Sequence, residues 1–165
     1  MREVEVVGVR VERPTNQPLV LLRETESAGR RRYLPIWIGA VEASAIATAQ
    51  QGEPTERPPT HELMRRLVDA LGDELDEVRI VSVEDGVYVA ELKFTSGATV
   101  DARPSDSIAL ALRAGARIVC AEDVLDVAGV TGDAPDGSAG DGIDPDEEIE
   151  RFREFLDHVD PEDFA

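Results

Sequence analysis

Valines at positions 4 and 6, then at 7, 9 and 11, alternate with other residues but change phase beside Gly8, which predicts a strand carrying a bulge. Thr15-Asn16-Gln17-Pro18 reads as a turn and Leu19 to Leu22 as a second strand. A loop over 27–32 leads to a third strand, Tyr33 to Ile38, in which Pro35 argues for a place near a sheet edge. After Gly39 the period becomes helical from Val41 to Gln50, with alanines at 43, 45, 47 and 49 that let a neighbouring backbone come close. A second helix is expected from an N-cap at Thr60 through Leu63, Met64, Leu67, Val68 and Leu71, ending at Gly72. Val78 to Val83 and Val87 to Phe94 form a hairpin pattern across Asp85-Gly86. Thr99 to Arg103 continues as a strand, and Pro104-Ser105-Asp106 opens a helix over Ile108 to Arg113, closed by Gly115. A short strand, Arg117 to Cys120, precedes a helical turn at Glu122 to Leu125.

The two halves echo each other. Ile36-Trp37-Ile38-Gly39 leading into Glu42-Ala43-Ser44-Ala45 has the same form as Val100-Asp101-Ala102-Arg103 leading into Ser107-Ile108-Ala109-Leu110. The expected fold is α+β, a mixed or antiparallel sheet with helices, built as a degenerate duplication of a three-strand plus helix unit.

Charge divides the chain. Residues 1–130 hold 15 basic and 22 acidic groups, a net of −7, whereas 131–165 hold 2 and 13, a net of −11. This predicts a domain over 1–130, a flexible acidic linker over 131–144 and an acidic tail over 145–165. In that tail Ile149, Phe152, Phe155, Leu156 and Val159 share one face of an amphipathic helix. Sixteen of the 17 basic residues are arginine. An acid-rich, lysine-poor surface suits concentrated salt, where a Debye length of about 3 Å screens the mutual repulsion, so a halophilic archaeal source is one reading. A high-GC mesophile with an acidic tail is the other. No apolar run is long enough to span a membrane, and charge alternates with valine from the first residues, so a cytoplasmic location is expected. The single cysteine, Cys120, excludes an intrachain disulfide framework.

Two clusters could carry chemistry. In Asp101-Ala102-Arg103-Pro104-Ser105-Asp106, residues two apart on a strand share a face, so Asp101 and Arg103 are expected to point the same way, with Asp106 in the helical turn beyond. Carboxylates there suit Mg²⁺ or Mn²⁺, and guanidinium suits phosphate. A salt bridge at the strand end explains the same residues. In Arg57-Pro58-Pro59-Thr60-His61-Glu62, a stiffened approach to a helix N-terminus offers an anion site, with Arg57 on phosphate and His61 as general base or metal ligand. A simple capped helix with solvated side chains is the plainer reading. Glu42 is a candidate third acid, and Arg30-Arg31-Arg32 the one basic run that could touch nucleic acid.

Leu34-Pro35-Ile36-Trp37-Ile38-Gly39 with Glu42-Ala43, Arg57-Pro58-Pro59-Thr60-His61-Glu62-Leu63, and Val100-Asp101-Ala102-Arg103-Pro104-Ser105-Asp106-Ser107-Ile108-Ala109-Leu110-Ala111 together resemble the bifunctional nuclease family over about residues 3–130. The resemblance implies an α+β domain, usually dimeric, with nuclease activity on DNA and RNA attributed to some members. A homodimer is also expected because the Tyr33–Ile38 strand and the first strand are apolar on both faces. Two functions follow. The first is a divalent-metal nuclease, with Asp101, Asp106 and Glu42 on the cation, Arg57 and Arg103 on phosphate and His61 on the proton. The second is a non-catalytic dimeric interaction module of the same fold.

Overall fold

The computed structural model describes residues 1–12, 15–26, 31–52 and 56–131. The elements run β1 (Arg2–Val11), β2 (Pro18–Glu24), β3 (Arg32–Trp37), α1 (Ala40–Gln51), α2 (Thr60–Ala70), β4 (Leu75–Glu84), β5 (Val87–Phe94), β6 (Thr99–Ala102), α3 (Pro104–Ala114), β7 (Arg117–Cys120), α4 (Glu122–Ala128) and β8 (Val130–Thr131). One sheet holds all the strands in the order β6-β5-β4-β7-β1-β2-β3-β8. Two antiparallel meanders, β1-β2-β3 and β4-β5-β6, flank β7, which pairs parallel to β4 and antiparallel to β1. The α+β class and the mixed sheet are as expected, and the order strand-strand-strand-helix occurs twice. The sheet curls enough for the Tyr88 hydroxyl on β5 to donate to the Pro35 carbonyl on β3 at 3.3 Å.

Local chemistry sets the strand geometry. The register of β1 on β2 shifts between Val6 and Gly8, where Gly8 has φ 150°, so the change of phase in the valine pattern is a bulge. Asp85 and Gly86 both take positive φ in the β4–β5 turn, the conformation that matches the twist of a tight hairpin.

Helix α3 is the central packing element. Pro104, Ser105 and every residue from Ser107 to Ala111 are buried, and α1 and α2 both pack on it while it lies over β4, β5 and β7. Small buried side chains at Ser107, Ala109 and Ala111 of α3 and at Ala43 and Ala49 of α1 permit close approach of the helices. Val20, Leu22, Leu34, Ile36, Ile46, Ile80, Ile108, Leu110 and Leu125 fill the core. Each contributes roughly 1.5–3 kcal/mol by leaving water.

Three expectations need correction. Helix α2 has Pro59, not Thr60, at its N-cap, and no side chain caps it; the proline's fixed φ of −67° starts the helix instead. The apolar residues of β3 do not need a partner chain, because Leu34, Pro35 and Ile36 are buried within this one. Arg32 is not free for nucleic acid: it bonds the buried Glu24 and Asp126. The linker and tail, 132–165, lie outside the described residues. Among those described, no helix is long and apolar enough to cross a membrane.

Candidate functional site

The first turns of three helices meet at one point. Glu42 lies in the first turn of α1, His61 in that of α2 and Asp106 in that of α3, while Arg103 is the N-cap of α3. Arg103 joins them. Its Nε donates to Asp106 Oδ2 at 2.7 Å and its Nη1 to Glu42 Oε1 at 3.1 Å. On the other side, His61 Nε2 lies 3.2 Å from Asp106 Oδ1. An ionised carboxylate has no proton to give, so the imidazole Nε2–H is the donor. The contacts span 61 residues between Glu42 and Arg103 and 45 between His61 and Asp106.

Positive and negative elements face each other here, the helix N-termini and Arg103 against the Glu42 and Asp106 carboxylates. Each helix N-terminus presents unpaired N–H groups and about half a positive charge. The Arg103 side chain is 66% exposed, against 15% for His61, 21% for Glu42 and 32% for Asp106, so a cation stands at the mouth of a half-buried site. Burial pushes the Asp106 carboxyl up, but hydrogen bonds from Arg103 and His61 outweigh it and hold it below the ordinary aspartate value. Asp106 and Glu42 in turn raise Arg103, so the guanidinium stays charged.

The backbone of α3 is pinned at the same place. Ser107 is fully buried, and its Oγ donates to the Arg103 carbonyl at 2.9 Å, which ties the N-cap to the first turn. Gly39, the N-cap of α1, supplies room. A Cβ there would collide with Glu42 Oε2, and the three nearest atoms to it all belong to the Glu42 carboxylate. Gly39→Ala is therefore expected to swing that carboxylate off Arg103 and leave the fold standing. The Arg103 Nη1–H resonance should shift in Gly39→Ala, and the same substitution should do nothing in a Glu42→Ala background. Equal effects in both backgrounds would show that Gly39 acts elsewhere.

Not every expected residue belongs to this group. Asp101 is exposed on edge strand β6, opposite Glu91 of β5. No hydrogen bond or ion pair joins it to Arg103, which follows the end of β6 as the still extended N-cap of α3. Arg57 lies exposed in the loop ahead of α2. Among the described residues no three His, Cys, Asp or Glu side chains are grouped to hold a metal ion. Asp101, Asp106 and Glu42 thus form no ready-made ligand set, and Arg103 bridges the last two.

The profile of the bifunctional nuclease domain matches residues 20–133, the stretch that holds all four linked side chains. The chain belongs to this family. Two uncharacterized Mycobacterium tuberculosis proteins, one from strain CDC 1551 / Oshkosh and one from ATCC 25618 / H37Rv, are each 53% identical over 165 residues, covering 99% of this chain and 98% of their own. A rice protein (Oryza sativa subsp. japonica) named Bifunctional nuclease 2 is 30% identical over 103 residues, 59% of this chain and 31% of its own. Mycobacterial relatives give no support to a halophilic archaeal origin. The arginine bias fits the high-GC alternative, and 13 of the 35 acidic residues fall in the last 35 positions, so much of the charge excess belongs to the tail.

Proposed function

We propose that this chain hydrolyses phosphodiester bonds in nucleic acid at the Glu42–Arg103–Asp106–His61 group. The observation that carries the reading is Arg103 itself, a solvent-facing guanidinium held between two carboxylates beside a histidine, where three helix N-termini meet. A guanidinium has five N–H donors, of which Asp106 and Glu42 take one each. Three remain to grip the non-bridging oxygens of a phosphate, and the helix dipoles add to the attraction. Arg57, ahead of α2, suits a neighbouring phosphate of the same strand.

In this mechanism Asp106 accepts the hydrogen bond from His61 Nε2–H and fixes the ring, which leaves Nδ1 as the base. A water gives its proton to Nδ1 as its oxygen bonds to phosphorus. The bond from phosphorus to the leaving oxygen breaks, and that oxygen takes the proton back from His61. Arg103 stabilises the charge that builds on the phosphoryl oxygens. Asp106 stays ionised throughout the neutral range, because its hydrogen bonds hold its pKa low. The described residues do not fit a three-ligand metal site, so no step is routed through a cation.

The test is a cleavage assay on end-labelled single-stranded RNA and DNA, with Mn²⁺ and with EDTA, alongside Asp101→Ala from the same purification. Cleavage in which Asp101→Ala keeps at least about half of the rate supports this site. Cleavage that needs Mn²⁺ and vanishes in Asp101→Ala would move the chemistry to a cation held on β6. Binding without cleavage under every condition would favour the interaction module. Sedimentation of the same sample tests pairing with a second copy, which is proposed under either reading.

A further inference from the structure

We infer that the leucine stripe on α2 is covered by the chain's own C-terminal segment, residues 149–159, and that docking there sets the acidic side chains of the surrounding tail against the arginines of the proposed site. Helix α2 has no buried residue. Met64 packs against the core, while Leu63, Leu67 and Leu71, four residues apart, form an outward row 46%, 53% and 85% exposed. An apolar row rimmed by charge, here the Arg66–Glu62 pair, is the usual mark of a docking surface.

The length and position of the remaining chain identify the occupant. Ile149, Phe152, Phe155, Leu156 and Val159 make a matching row. Wound as a helix, at 1.5 Å per residue, that row would be about 15 Å long, against about 12 Å for Leu63 to Leu71. The described fold ends at Thr131 in β8, so 17 residues, 132–148, connect the two. A glycine-rich linker of that length has a typical span of roughly 20–25 Å and a maximum near 60 Å, enough to reach α2 from the far sheet edge. Tethering gives the segment an effective concentration in the millimolar range, above that of any second copy in dilute solution.

Charge sets the consequence. Residues 143–165 carry ten acidic side chains and two arginines, and α2 begins beside Arg57 and Arg103, both exposed. The docked residues 149–159 are themselves close to neutral, but docking them brings the rest of the net −8 stretch 143–165 to this surface, where its carboxylates compete with nucleic acid for those arginines. This consequence rests on the proposed phosphate site, whereas the docking itself does not.

The docking is tested on the full chain by trypsin cleavage after Arg151 and Arg153 and by hydrogen exchange of the 63–71 amides. Phe152→Asp/Phe155→Asp should speed exchange in α2, and Leu67→Asp should speed tail cleavage, each on the order of tenfold. Leu67 is half exposed, so Leu67→Asp folds, as circular dichroism would verify. Exchange in α2 that ignores the tail variant overturns the inference. Protection that instead grows with protein concentration would assign the stripe to a second copy, which also overturns it. Binding of a fluorescent single-stranded DNA is the separate arm. Faster α2 exchange in the tail variant with unchanged DNA affinity would keep the docking and remove the phosphate site from this surface.

Discussion

Arg103→Ala is expected to lower turnover on a nucleic-acid substrate by on the order of 10²–10³-fold, the usual loss when a charge-stabilising donor is removed. The thermal midpoint should hardly move. Arg103 is 66% exposed, and water can replace its bonds to Asp106 and Glu42, so the fold loses little with it. A kinetic split sharpens the test: the loss should fall on kcat more than on KM if the guanidinium meets charge that develops in the transition state. Arg103→Lys should recover only part of the rate, because an ammonium keeps the charge but not the fork that reaches two carboxylates and a phosphate together. An unchanged rate with a large fall in thermal midpoint would make Arg103 a structural tie between α1 and α3. A lost rate with an unchanged midpoint in both Arg103→Ala and Arg103→Lys would still place it in the chemistry.

What the sequence made legible follows the range of the forces involved. Gly8, Asp85-Gly86 and the Arg117 to Cys120 strand carried local signals, a phase change, a turn dipeptide and a bounded apolar run, and each appears where it was expected. The clusters around His61 and around Arg103–Asp106 were also legible as polar residues at helix starts. Their convergence was expected only on functional grounds, because a phosphodiesterase must bring both clusters to one cleft; no residue near His61 records which helix it will meet, and packing on the buried face of α3 decides it. Asp101 was legible as a strand residue, but no local pattern records that its strand is the exposed edge β6, which leaves it outside the linked group. The two-residue strand β8 had no pattern long enough to detect; it forms because β3 offers Arg32 and Tyr33 for pairing. Arg32 itself, read within a basic run, is tied to Asp126 from 94 residues away.

That tie belongs to a second network with the larger consequence for stability. Glu24 on β2 is 1% exposed and accepts from Arg2 Nε at 2.6 Å, Arg32 Nε at 3.0 Å and Arg32 Nη2 at 3.1 Å, while Arg32 Nη1 reaches Asp126 at 2.6 Å. One carboxylate thus links β1, β2 and β3, and through Arg32 it links them to α4. Removing one partner of a buried pair strands the other charge, at about 3–5 kcal/mol. Glu24→Ala should cost about 3 kcal/mol, at the low end because Arg32 keeps Asp126. That is a large share of the ~5–15 kcal/mol that holds a domain of this kind. Acid should reveal the same group. Hydrogen bonds from Arg32 hold the Glu24 pKa below its ordinary 4.5; burial opposes them, and Arg2 adds to them. Its proton is therefore bound more weakly in the folded chain than in the unfolded one. The stability it contributes is complete above about 4.5 and drains away as pH falls through the lower folded value. Urea midpoints measured from pH 7 downward should fall in wild type below that point. In Glu24→Gln the midpoint should start lower and lack this part of the fall, so the two curves converge in acid. Parallel curves would mean that another carboxylate carries the acid sensitivity and that Glu24 is no more than a spectator of its arginines.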